Sequence, residues 1–142
     1  MFEKTCALIK PDLTAKKLVG KIISMIEQSN FEIEKMKKIT MTKSMAEAFY
    51  AVHAEKPFFR EVVDFMTSGP IIAMVLKKEN AVNAWRDLMG ATNPEKAAAG
   101  TIRALFGTSV MENGTHGSDS RENAEKEIAL LFSEGSKSEN WL

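Results

Sequence analysis

Apolar residues along the chain repeat with two different periods, which separate strands from helices. Thr5-Cys6-Ala7-Leu8-Ile9 is a short apolar run ended by Lys10-Pro11-Asp12, and it predicts a central strand whose ladder Pro11 stops. Leu18, Ile22, Met25 and Ile26 recur at helical spacing, so Lys16 to Gln28 is expected to be an amphipathic helix. Phe31, Ile33 and Lys35 alternate with Glu32, Glu34 and Met36, which predicts a half-exposed strand to about Ile39. Its mixed polarity suits a sheet edge. Thr42 can cap a helix from Ser44 to about Tyr50, and Pro57 is placed to start another from Phe58 to Met66. After the turn Ser68-Gly69-Pro70, the continuous run Ile71 to Leu76 reads as a buried central strand. Asn80 is expected to cap a helix through Met89, closed by Gly90. Ala91 to Asn113 shows no clean period and reads as a long, functional loop. A short strand around Thr115 to Gly117 follows, and Ala124, Ile128, Leu131 and Phe132 mark the apolar face of a last helix. From Ser133 the chain is polar, with Trp141 placed to pack on the body or on a neighbouring subunit.

The element order β-α-β-(αα)-β-α-(loop)-β-α fits an α/β (α+β) fold. It predicts a ferredoxin-like two-layer sandwich, a four-stranded antiparallel sheet covered by helices. The chain's 142 residues are enough for one domain, residues 1–142, with a proper core. Lys plus Arg and Asp plus Glu each total 19, so the zero net charge argues against an electrostatic binder of nucleic acid or membrane. The single cysteine, Cys6, cannot form an intrachain disulfide, which fits a reducing compartment. No apolar run approaches a membrane span and the N-terminus does not read as a signal peptide, so a cytoplasmic location is expected.

The candidate chemistry centres on Asn113-Gly114-Thr115-His116-Gly117-Ser118-Asp119-Ser120. Glycines on either side leave the imidazole little shielding, and a neutral imidazole is a usable nucleophile. Asp119 with Glu122 reads as a capping box, so His116 should feed into a helix N-terminus, where anions are stabilised. Three cations could join it: Lys10 at a strand end, Arg86 at a helix end, and Arg103 after Gly100-Thr101-Ile102. Such side chains make short, charge-assisted bonds to phosphate oxygens. There is no Walker A loop, no glycine-rich kinase loop and no zinc spacing, so phosphates would have to be held by side chains. Glu127 neighbours Ala124 and Leu131 on the last helix, and a carboxylate beside that buried stripe needs a partner. His53 reads as a surface residue. Asp12 and Asp119 read as structural, through turn bonds and the helix cap.

Several motifs in order resemble one family. They are Ile9-Lys10-Pro11-Asp12, Phe49-Tyr50, Lys56-Pro57-Phe58-Phe59, Ser68-Gly69-Pro70, Gly90-Ala91-Thr92-Asn93-Pro94, Gly100-Thr101-Ile102-Arg103 and Asn113 through Ser120. From about Glu3 to Phe132 the chain resembles nucleoside diphosphate kinase, most closely its bacterial branch. The resemblance implies ping-pong transfer of the γ-phosphoryl group of a nucleoside triphosphate, mainly ATP, to nucleoside diphosphates through phosphorylated His116. It implies that Arg86, Thr92 and Arg103 hold phosphates, that Lys10 and Asn113 bond the sugar hydroxyls, and that Lys10 also lies near the transferred group. It implies that Phe58 stacks on the base with Val110 on the other side of the slot. Glu127 is implied to orient His116, supported by Ser118, with Tyr50 near the phosphates. Mg2+ would enter with the nucleotide without a direct protein ligand. A homo-oligomer, tetramer or hexamer, is implied. Leu105 and Thr115 depart from the family pattern, which has charged or polar and apolar residues there respectively. Two other readings use the same fold: a non-enzymatic regulatory or ligand-binding domain, and a carrier relaying phosphate from His116 to a protein.

Overall fold

The computed structural model describes residues 2–133. The expected tail from Glu134 onward, including Trp141, lies outside the described residues. The central strands are β1 (Phe2–Ile9) and β3 (Ile71–Glu79), paired antiparallel with Ala7 opposite Met74 and Ile9 opposite Ile72. β2 (Glu32–Ile39) flanks β3 on one side and β4 (Thr115–Gly117) flanks β1 on the other, giving the order β2-β3-β1-β4. All pairs are antiparallel. This is the expected ferredoxin-like sheet, with β2 at an edge as its mixed polarity predicted.

Strand alternation splits the core into two faces. Ala7, Ile9, Ile72, Met74 and Leu76 face one way, onto Ile22 and Ile26 of α2 (Val19–Gln28) and Trp85 and Met89 of α5 (Ala81–Met89). Cys6, Leu8, Ile71 and Ala73 face the other. There they meet Ala46 and Phe49 of α3 (Lys43–Phe49), Val63 and Met66 of α4 (Phe59–Met66), and Leu131 of α7 (Arg121–Leu131). Both faces of β1 and β3 are therefore covered. That is why these strands read as continuous apolar runs and not as alternating ones.

Several local details differ from expectation. Pro11 does more than end β1, because it opens a short helix, α1 (Pro11–Ala15). Lys17 then takes a left-handed φ of 60°, so the expected Lys16–Gln28 helix starts only at Val19. Asn80 precedes α5 as expected, but at φ 57° its side chain does not cap. Glu3 of β1 fills that role, its Oε1 accepting from Val82 N–H at 2.9 Å. The loop from Ala91 to Asn113 holds a 3-10 turn, Pro94–Lys96, and α6 (Ile102–Phe106), each with its own side-chain cap from Asn93 and Thr101. The capping box of Asp119 and Glu122 is absent. Ser120 is the N-cap of α7 and accepts from Asn123 N–H at 3.0 Å, while Asp119 accepts from the Asn123 amide side chain at 2.6 Å.

Candidate active site

β4 is placed by its backbone: Leu8 of β1 faces His116, and Lys10 N–H donates to Gly114 O at 2.8 Å. Gly114 needs its glycine, since φ is 91° and a Cβ would stand 2.7 Å from Leu13 Cδ1. Gly117 needs its own for a different reason. A Cβ there would lie 2.5 Å from Trp85 Cδ1 and 2.6 Å from Met89 Cε. Trp85 can pack that close because its indole N–H donates to His116 O at 3.0 Å. The two glycines that frame the imidazole in sequence thus let core side chains press against the strand that carries it.

His116 and Glu127 are mostly buried, 18% and 16% exposed, with Nε2 3.0 Å from Glu127 Oε1. A carboxylate accepts hydrogen bonds, so the contact suits the tautomer in which Nε2 carries the proton, and in a neutral ring the lone pair then lies on Nδ1. Ser118, fully buried, donates its hydroxyl to the same Oε1 at 2.7 Å and accepts from Cys6 N–H at 3.3 Å. The carboxylate is therefore anchored to β1 through Ser118 while it orients the imidazole. Phe49 and Tyr50 pack their rings against the imidazole, with centroids at 5.1 and 5.8 Å. Burial pushes the Tyr50 hydroxyl and the Cys6 thiol well above their usual ranges, with the Glu127 charge adding to both. Neither is a nucleophile at neutral pH.

A cavity of about 380 Å³ opens beside this pair, lined by residues from every motif except the Ser68-Gly69-Pro70 turn. Lys10, Tyr50, Phe58, Arg86, Thr92, Arg103, Asn113, His116 and Glu127 all reach it. Lys10 Nζ donates to Asn113 Oδ1 at 2.8 Å and to Met111 O at 3.4 Å. Asn113 in turn donates its side-chain amide to Thr92 O at 3.0 Å, tying three expected nucleotide contacts together. Burial lowers Lys10 to about 8, helped by the charge of Arg103 and opposed by that of Asp12. Asp12 is buried too, which raises its carboxyl, while Lys10 pulls it back. Arg103 is almost fully buried: its two terminal nitrogens donate to Gly90 O at 2.9 Å and Thr115 O at 2.8 Å. Burial and the nearby Arg86 lower it to about 10, still charged at neutral pH. Arg86 is exposed at the cavity wall. Among the described residues no group of three His, Cys, Asp or Glu is arranged to hold a metal ion.

Phe58 offers a partly exposed ring, 39% accessible, with Lys56 Nζ 5.9 Å from its centroid. Val110, expected across the slot from it, is 55% exposed and does not line the cavity. It sits in a turn closed by Thr108 N–H to Glu112 O at 2.9 Å, and Met111 beside it faces the cavity instead. His53 is another correction. It is half-buried, lines the cavity, tilts against Phe58 at 5.8 Å and leaves a buried Nδ1 without a partner. Sequence reading missed Met111 and Phe49 as well. Phe49 sat in a motif beside Tyr50, but nothing in its spacing singled out contact with the imidazole.

The chain's sequence and fold are matched by known proteins. The family model "Nucleoside diphosphate kinase" matches residues 3–136. A nucleoside diphosphate kinase of Helicobacter hepaticus is 56% identical over 131 residues, 92% of this chain and 96% of that protein. One from Geobacter sulfurreducens is 52% identical, covering 93% and 96%. Among solved structures, the Aquifex aeolicus nucleoside diphosphate kinase superposes with a TM-score of 0.92 at 42% identity, covering 94% of this chain and 97% of that one. The structure from Encephalitozoon cuniculi gives 0.89 at 40% identity, covering 92% and 88%.

Proposed function

The chain belongs to the nucleoside diphosphate kinase family, and we propose on that premise that Nδ1 of His116 is the atom that carries the phosphoryl group. The enzyme is a phosphotransferase that moves the γ-phosphoryl group of a nucleoside triphosphate to a nucleoside diphosphate by a ping-pong route. In the first half-reaction the Nδ1 lone pair bonds the γ-phosphorus. The bond from that phosphorus to its bridging oxygen breaks, and the nucleoside diphosphate leaves with the electron pair. In the second half-reaction a terminal oxygen of another nucleoside diphosphate bonds the phosphorus and the P–N bond breaks. Two easier steps replace one hard one. The observation that carries this reading is the 3.0 Å bond from Nε2 to Glu127, which occupies one ring nitrogen and leaves the other for phosphorus.

The rest of the site supplies position and charge. Arg86, Arg103 and Thr92 take the phosphates, with Arg103 preset by its two carbonyl contacts. Lys10 and Asn113, already bonded to each other, meet the sugar hydroxyls, and Lys10 also reaches the transferred group. Tyr50 and His53 border the phosphate path. Phe58 stacks on the base. Every base has a π-face, so stacking gives affinity without reading base identity. Mg2+ would be held by the nucleotide's phosphate oxygens, where it would offset their charge beside Lys10, Arg86 and Arg103. The cationic lining fits a metal held by phosphate oxygens and not by side chains. One domain carries all these groups. We read the enzyme as cytoplasmic and as a homo-oligomer, tetramer or hexamer. No described helix is long and apolar enough to cross a membrane.

Incubation with γ-labelled ATP and Mg2+ tests the reading. The expected result is an acid-labile phosphoenzyme that added GDP or dCDP discharges, absent in His116→Ala. Label that no nucleoside diphosphate removes would favour a protein relay, and no label at all would favour a binding domain.

A further inference from the structure

His116 is held at one nitrogen by Glu127, and a single hydrogen bond leaves the plane of a ring free to rock about it. In-line transfer needs that plane fixed, because the Nδ1 lone pair must point along the bond being broken. Phe49 supplies the missing constraint. It closes α3, is 6% exposed and sits 5.1 Å from the imidazole centroid at an interplanar angle of 66°. The same ring meets Tyr50 at 5.0 Å and 69°, and Tyr50 meets His116 at 5.8 Å and 83°. Three rings thus form an edge-to-face cluster, a preferred arrangement for such groups. Phe49 belongs to the core cluster under the sheet and also lines the active-site cavity, so it joins the core to the imidazole.

We propose that Phe49 is a positioning residue of the phosphoryl transfer, acting through His116 by fixing its ring plane and so keeping Nε2–H on Glu127, the carboxylate that selects the tautomer. Phe49 touches no substrate in this role. Its place is against the face of the nucleophile, with its centroid 5.1 Å from that of the imidazole. The inference rests on His116 as phosphoryl acceptor.

The test is a rapid-quench measurement of phosphoenzyme formation from labelled ATP, made on the full chain. Phe49→Met keeps apolar volume and removes the ring. The rate constant at saturating ATP should fall about three- to tenfold, the worth of one aromatic pair, while KM stays unchanged. Phe49→Tyr keeps the ring and should restore the rate. Val63→Ala removes packing from the same core cluster without touching His116, and it should lower stability and leave the rate alone. The ¹⁵N spectrum of His116 should show a single Nε2–H tautomer in the wild type and in Phe49→Tyr, and a mixture in Phe49→Met. Wild-type rates in Phe49→Met, or equal slowing in Val63→Ala, would overturn the proposal. If Phe49→Met does not fold, a mixed tautomer in Phe49→Tyr or in the wild type would overturn it. A wild-type chain that takes no label would instead sink the reading of His116 itself.

Discussion

The two edges of the sheet are β2, eight residues long, and β4, three residues long. Along β2 five of the eight residues are charged and none is fully buried, Met36 is 52% exposed and a register shift falls between Ile33 and Lys35. Charges and irregularity at an edge blunt its pairing with stray strands. β4 is bracketed by glycines, half-covered by Trp85 and Met89, and followed at once by α7, whose Glu127 returns to His116. One edge tolerates change because water covers it. The other is fixed from all sides, and the chemistry sits on the fixed one. A catalytic side chain needs rigid support, and a short strand lets a helix N-terminus and a loop reach it together.

That contrast can be broken from the active edge first. Glu127→Gln removes the charge that holds the Nε2–H tautomer, and turnover should fall by about 100-fold with the fold intact, as steady-state kinetics and circular dichroism would report. Wild-type turnover would mean that the tautomer does not depend on this carboxylate. Gly117→Ala forces a methyl into Trp85 and Met89 and should cost about 1–3 kcal/mol in urea unfolding. Lys38→Ala on β2 should stay within about 0.5 kcal/mol, as exposed substitutions do. Equal losses at both positions would erase the distinction between the edges. Phe58→Ala should weaken nucleotide binding by about 1–3 kcal/mol, and equally for purines and pyrimidines in calorimetry. A loss confined to one base would contradict stacking.

A pH-dependent effect comes from Lys10, whose ammonium is pushed down to about 8 by burial. As pH rises through that value the folded protein loses the charge while the unfolded chain, with lysine near 10.5, keeps it. The unfolded state then binds more protons, so this group adds stability as pH rises between the two values. Nucleotide affinity moves the other way, because the charge facing the phosphates is lost. Binding isotherms from pH 7 to 9.5 should therefore weaken while thermal stability gains a contribution. A flat affinity would show that Lys10 does not bind in its charged form.

Much of this was legible in the chain. Ile71 to Leu76 had to be a buried strand, Thr42 capped its helix at Met45 N–H, and the glycines around His116 marked the site. What escaped depends on contacts distant in sequence or on backbone torsions. Glu3 caps α5 from 79 residues away because Asn80 turned left-handed. Ser120 displaced Asp119 as N-cap because its extended backbone, φ −157°, suits the position. Val110 pointed to the base slot by resemblance, yet the turn from Thr108 to Glu112 carries it outward and brings Met111 in. His53 read as surface because nothing local tells that Phe58 folds back onto its ring.

The central claim is that the Nε2 bond to Glu127 reserves Nδ1 of His116 for phosphorus. Phosphorylating the uniformly ¹⁵N-labelled enzyme with ATP and reading phosphorus–nitrogen coupling by NMR tests this directly. The account predicts coupling at Nδ1 of His116 with Nε2 still protonated. Coupling at Nε2, or a phosphoryl group on any other residue, would contradict it.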